Sequence, residues 1–317
     1  MTAAGGESGV VRRKVLVTGA SGFIGFHCLA PLVRLGYDVV ATYNRGAHPD
    51  VEGVSWVQAD LLTPGAPAQV LKSVKPQGLV HLAWFVEPGK MITSEDNLRW
   101  VSASYELLRE FHVGGGERCV FGGSCYEYDW RYGYCSETIT PRTPDTLYGA
   151  AKNGLADTML AYCAAAGLSG AWARMFFLYG PREGQKRLVP SVITSLLRSQ
   201  PALSSHGMQI RDYMHVQDAA DGIVALFASP ARGAYNIASG QAITIRSIVE
   251  GIGEAMGKPE LIRIGALPAR ANDTALVVAD TAKTTAEVGW QAQIPLQRGL
   301  RETIAWWQAN FVVEQNR

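Results

Sequence analysis

In the run "LYGAAKNGL", Tyr148 and Lys152 stand four residues apart. On a helix that spacing puts phenol and ammonium on one face, a turn apart. A free phenol titrates near pH 10 and is a poor base at neutrality. A cation alongside, reinforced by an oxidised nicotinamide, favours the phenolate. Such a tyrosine can give a proton to a carbonyl oxygen, or take one from an alcohol, while hydride moves to or from a nicotinamide. The spacing is common in helices, so the pair needs partners. One is offered upstream by "FGGSCYEYDW" (Phe121–Trp130), which places a serine, a thiol, two phenols and two carboxylates on successive residues from Ser124. Another is "TGASGFIG", with Gly19, Gly22 and Gly25 three residues apart and Phe23 and Ile24 between them. A turn of that kind lets backbone approach a pyrophosphate while a helix N-terminus offers free N–H groups to it, and Gly25 allows close helix–strand packing.

These residues need a scaffold, and the pattern supplies one. "KVLVTG", "DVVATY", "VSWVQADL", "GLVHLAW", "RCVFGG" and "SGAWARMFFLYGP" read as strands; "FIGFHCLAPLVRLG", Glu95–Phe111 and Tyr148–Ala165 read as helices. Continuous apolar strands joined by helices imply a parallel sheet covered on both faces, an α/β doubly wound fold. After Pro181 the pattern loosens into a smaller mixed α/β lobe. Asp60 closes the third strand beside Leu61, where a carboxylate could meet an adenine amino group; an N-cap role suits it equally. Leu82 and Ala83 end the fourth strand, and with Asp60 and Leu61 they are candidate cofactor-binding residues. The second strand ends "VVATYNRG", with no acid for a ribose 2′-hydroxyl and with Asn44 and Arg45 following. That favours NADP(H), with NAD(H) the alternative.

The 317 residues are 47% hydrophobic and 18% charged, with a formal net charge of +1, enough apolar content for a substantial core. The charge balance gives no reason to expect nucleic acid or an anionic membrane as partner. No apolar run reaches the roughly 18 residues of a membrane span. The basic and apolar start mimics a signal peptide, but its glycines make strand, turn and helix the better reading. Cysteines 28, 119, 125, 135 and 163 are odd in number and never at Cys-x-x-Cys spacing, which fits a reducing cytoplasm and no zinc site.

From Lys14 to about Trp307 the chain resembles the extended short-chain dehydrogenase/reductase family, which holds nucleotide-sugar epimerases, dehydratases and ketoreductases. The likeness rests on "TGASGFIG", "ADL", "LVHLAW", Ser124, "YGAAK", "RMFFLYGP", "RDYMHVQDAADG", "AYNIASG" and "VGW". The small, polar start reads as a loose tail over 1–12, and the resemblance implies a Rossmann-type domain over 13–180 that also takes in about 208–240, with a C-terminal substrate lobe from 181–207 and 241–317. It implies that Ser124 hydrogen-bonds the reacting sugar oxygen, that Tyr148 and Lys152 are the catalytic pair with Lys152 also on the nicotinamide ribose, and that the three glycines hold the pyrophosphate. Arg211 and Arg270 match arginines that grip a substrate diphosphate, and Lys186 and Arg187 lie where the substrate nucleotide is covered. A homodimer through the Tyr148 helix and the helix ending near Phe111 is implied as well.

Two departures bear on the reaction. Where relatives carry an asparagine facing the substrate, this chain has Phe177. Where 4,6-dehydratases follow the serine or threonine with an acid pair, it has Cys125 and Tyr126, which read instead as shaping the sugar pocket; Glu127 falls on the opposite face if the strand continues. Dehydration by that route is disfavoured. The expectation is therefore NADPH-dependent reduction of a 4-keto-6-deoxy sugar on a nucleoside diphosphate, with Tyr148 as proton donor and Ser124 polarising the ketone. A 4-epimerase holding NAD is the alternative, and a non-catalytic dinucleotide-binding regulator the remote one.

Overall fold

The computed structural model describes residues 12–269 and 273–314, so the expected tail (except Arg12) and Arg270 lie outside the described residues. The chain opens with Lys14–Thr18 (β1), turns through the glycines and enters Phe23–Arg34 (α1). Asp38–Tyr43 (β2), Val54–Gln58 (β3), Ala66–Val74 (α2), Gly78–His81 (β4) and Asp96–Val113 (α3) follow. Next come Arg118–Ser124 (β5), Tyr134–Cys135 (β6), Leu147–Ala166 (α4), Ser169–Met175 (β7) and Phe177–Tyr179 (β8). The remainder comprises Leu188–Leu197 (α5), Ala202–Leu203 (β9), Ile210–Arg211 (β10), Tyr213–His215 (β11), Val216–Ala228 (α6), Gly233–Ile237 (β12) and Ile243–Thr244 (β13). Ile245–Ala255 (α7), Ile262–Arg263 (β14), Leu276–Ala279 (β15), Ala282–Val288 (α8) and Leu296–Glu314 (α9) complete it.

Seven strands form one parallel sheet in the order β3-β2-β1-β4-β5-β7-β12. Its inner strands are largely apolar because both faces are covered. Val15 and Val17 of β1 pack with Leu29 and Leu32 of α1 and Ile223 of α6. Leu16 between them serves the other face, with Leu107 of α3 and Leu155 and Met159 of α4. A separate core joins Val189 and Ile193 of α5, Ile248 and Ile252 of α7, and Ile304 and Trp307 of α9. Around it lie a four-stranded sheet, β13-β10-β15-β6, and the parallel pairs β8–β11 and β9–β14.

Three expected strands are shorter than the pattern suggested. The fourth ends at His81, leaving 82–84 as a connection. The third ends at Gln58, leaving Ala59–Leu61 as a connection. The run 169–179 is two strands, because Phe176 leaves the sheet to pack with Cys125, Tyr128 and Val277, and β8 then pairs with β11. Among the described residues no helix is long and apolar enough to cross a membrane, and all five cysteines are free and buried.

The glycine turn brings α1 close against the end of β1. Gly19 has φ +68°, and a Cβ at Gly25 would lie 2.3 Å from the Gly19 carbonyl oxygen, inside any real contact. Gly25→Ala should therefore push α1 off the sheet and cost about 1–3 kcal/mol, seen as a lower midpoint in urea denaturation; an unchanged midpoint would show that the turn yields freely.

Candidate active site

The sheet reverses its winding between β1 and β4, since α1 covers one face and α3 the other. Ligands of open α/β sheets bind in the crevice at the carboxyl ends of such strands. A cavity of about 570 Å³ opens there. At one end it is lined by Gly19, Gly22, Phe23, Ile24 and Gly25, with Asn44, Leu61, Leu82 and Ala83 nearby. At the other it is lined by Ser124, Cys125, Tyr126, Tyr148, Lys152, Phe177 and Arg187. Gly22 is the N-cap of α1 and makes no side-chain cap, so the first-turn N–H groups are free for an anion. The uncapped helix and close-packed glycines suit a dinucleotide pyrophosphate.

Ser124 is placed by its neighbours. It ends β5 because the chain there tightens into a 3₁₀ turn, Cys125–Glu127, with Ser124 Oγ accepting from Tyr126 N at 3.3 Å. Glu127 folds back beneath the strand. Its Oε1 accepts from Ser124 N at 2.7 Å and Trp172 Nε1 at 2.8 Å, and its Oε2 accepts from Arg174 Nε at 2.6 Å. Gly123 leaves room for this, since a Cβ there would sit 2.1 Å from Trp172 Nε1. The strand expected to carry Glu127 onto the opposite face thus stops three residues early; Glu127 is fully buried and does not line the cavity.

Tyr148 and Lys152 lie in the first two turns of α4, whose N-cap Thr146 accepts from Gly149 N. Lys152 Nζ donates to the Gly122 carbonyl at 2.7 Å. Burial pulls its pKa down to about 7, against the attraction of Glu127. Burial pushes the Tyr148 phenol up, only partly opposed by its hydrogen bond with Ser124. Desolvation dominates, and the lowering expected from a neighbouring cation is not what the protein groups give. Protein groups alone leave Tyr148 a proton donor, and a cationic nicotinamide is what would help it act as a base. His81 links Thr18 Oγ1 (2.6 Å) to Ser104 Oγ (2.9 Å), and burial lowers it to about 3, so it is a neutral strut. Burial also raises the Cys125 thiol, which stays protonated.

Other expected residues stand apart. Arg45 and Lys186 are exposed and do not line the cavity. Asp60 accepts from Leu62 N at 3.1 Å, a local turn contact. Arg211 lies behind the aromatic wall, paired with Asp273 at 2.6 Å, its guanidinium 5.6 Å from the Phe177 ring. Arg187, by contrast, lines the cavity, where it donates to the Val86 carbonyl at 2.9 Å. The sequence reading missed Trp84, Glu183 and Tyr213, all in the cavity wall. Trp84 follows the carboxyl end of β4, a position that the crevice rule itself marks.

The Rossmann sheet brings serine, tyrosine and lysine to one cavity beside a glycine turn, the arrangement that the short-chain dehydrogenase/reductase resemblance implies. The chain belongs to the NAD dependent epimerase/dehydratase family, whose model matches residues 15–238. It is 28% identical over 308 residues to UDP-glucose 4-epimerase of Corynebacterium glutamicum, covering 87% of this chain and 90% of that one. It is 28% identical over 331 residues to dTDP-glucose 4,6-dehydratase of an Actinoplanes species, covering 94% and 98%. The structure of UDP-glucose 4-epimerase from Thermus thermophilus in complex with NAD superposes with a TM-score of 0.82 at 25% identity, covering 93% and 99%.

Because Glu127 and Arg174 are buried together, removing one leaves an uncompensated charge. Glu127→Ala should cost about 3–5 kcal/mol in equilibrium denaturation, and a near-neutral result would show that the pair is dispensable.

Proposed function

We propose that this protein is a nucleotide-sugar 4-epimerase that retains its dinucleotide. The observation that carries this reading is Ser124, Tyr148 and Lys152 gathered in one cavity with the glycine turn, while Cys125 and Tyr126 hold the places of an acid pair. The wall opposite adds support. Phe177 lies 5.5 Å from the Tyr213 ring, and Tyr126 lies 5.6 Å from the Tyr148 ring. Inverting a carbinol by oxidation and re-reduction requires the ketone to offer both faces in turn, and an aromatic wall pins a sugar by few hydrogen bonds. Tyr148 takes the hydroxyl proton and returns it, Ser124 holds the same oxygen, and Lys152 keeps positive charge beside them. A bound nicotinamide dinucleotide supplies the hydride acceptor and donor.

Reduction of a 4-keto-6-deoxy sugar nucleotide, favoured by the sequence reading, becomes the second reading. It keeps one observation in its favour: Thr42, Tyr43 and Asn44 line the cavity at the end of β2, with no carboxylate among them. The 4-epimerases among the matched relatives, and the NAD held by one of them, weigh the other way. Pairing of two copies through α3 and α4 belongs to the proposal under either reading.

Purified protein should interconvert UDP-glucose and UDP-galactose without added cofactor and release stoichiometric NAD on denaturation. An empty site with NADPH-dependent reduction of a 4-keto-6-deoxy sugar nucleotide would overturn this in favour of the reductase. Tyr148→Phe should lower kcat about 10²–10⁴-fold while leaving the nucleotide content intact; full turnover in that variant would remove Tyr148 from the mechanism.

A further inference from the structure

The lysine of the site has a neighbour that the proposed chemistry has not used. Trp84 extends from the carboxyl end of β4 and lays its indole over Lys152, with Nζ 3.6 Å from the ring centroid. Trp172 is the next ring, at 5.8 Å. The indole is itself held. Trp84 Nε1 donates to Asn97 Oδ1 at 2.9 Å, and the Asn97 amide donates to the carbonyls of Met91 (2.7 Å) and Ser94 (2.8 Å). Asn97 is fully buried at the start of α3, and Trp100, one turn along, stacks on Trp84 with centroids 6.1 Å apart. Trp84 and Lys152 both line the cavity.

We propose that Trp84 is a positioning residue for Lys152: its ring face, clamped by Asn97 and Trp100, fixes the ammonium group beside Tyr148 and stabilises its charge. Among the described residues, Nζ has one hydrogen-bond acceptor from the protein, the Gly122 carbonyl. A buried ammonium with a single acceptor loses much of its hydration. A desolvated cation–π contact returns part of that loss, more than it would at an exposed site. Burial already brings Lys152 down to about 7, so the balance between ammonium and amine lies where modest contributions decide it. The other groups facing this lysine are Glu127 from the 3₁₀ turn, which favours the ammonium, and neutral His81 from β4. Tyr148 lies one turn away on its own helix. Substitution at Trp84 replaces none of these groups.

The inference rests on the epimerase reading for its kinetic consequence but not for its physical one, so two measurements separate them. The first is a titration of Lys152 by ¹³Cε NMR of labelled lysine, assigned with Lys152→Arg, in purified wild type, Trp84→Ala and Trp84→Phe. Losing the ring should lower the Lys152 midpoint by about one pH unit or more, and Phe, which keeps a smaller π face, should restore part of it. A midpoint unmoved in Trp84→Ala, or raised as water entering the opened cavity would raise it, or Ala and Phe shifted alike, overturns the inference whatever the substrate. The second is the pH profile of kcat with UDP-glucose. Turnover that needs the ammonium should fall at lower pH in Trp84→Ala, with Trp84→Phe between. A kcat loss with the limb at its wild-type pH would assign Trp84 a packing role only and overturn the inference. A shifted NMR midpoint in a protein that leaves UDP-glucose unchanged would support the inference and overturn the epimerase reading instead.

Discussion

The buried carboxylate of Glu127 holds the active site to its scaffold. It receives the Ser124 amide, the Trp172 indole and the Arg174 guanidinium at once, and Arg174 in turn donates to the Tyr128 hydroxyl at 3.4 Å. With Arg174 only 2% exposed and Glu127 not at all, the ion pair has little water to compensate it. Two buried ions survive only when geometry and further hydrogen bonds repay their desolvation, and here those bonds come from the residues that end β5 and run along β7. Satisfying the carboxylate therefore fixes where β5 stops, how the next turn is wound, and where the Ser124 hydroxyl stands.

That arrangement explains what could and could not be read beforehand. The parallel sheet was legible because its inner strands are apolar on both sides, and the glycine turn because steric room at Gly25 has a fixed spacing from Gly19. Tyr148 and Lys152 were legible because a helix face obeys a simple period, and α4 begins one residue before the expected bound. The end of β5 was not, because nothing local to "SCYE" announces partners on β7, 45 and 47 residues beyond Glu127. The break at Phe176 was hidden likewise, in a packing choice made with residues as distant as Val277. Trp84 escaped notice because tryptophan in an apolar run reads as core; its role emerges only when α3 and α4 bring Asn97 and Lys152 to it.

Charge within the cavity follows a single rule: burial favours the uncharged form of each titrating group unless the protein supplies an opposing charge. The Tyr148 phenol and the Cys125 thiol are held protonated, and His81 is held neutral. Lys152 sits close to balance, with Glu127 pulling toward the cation. A site built in this way has little charge of its own to spend on the reacting oxygen. Its capacity to move a proton in either direction then depends on what is bound beside it, which suits the proposed oxidation and re-reduction.

The last strand of the large sheet, β12, comes from Gly233–Ile237, after the chain has already left to build most of α5 and its surroundings. During synthesis β7 therefore waits as an open edge while some sixty residues between Met175 and Ile237 emerge. An unpaired edge beside a hydrophobic face is where nascent chains associate wrongly. The interval between those two strands is thus a stretch of translation in which an edge of the large sheet stands open.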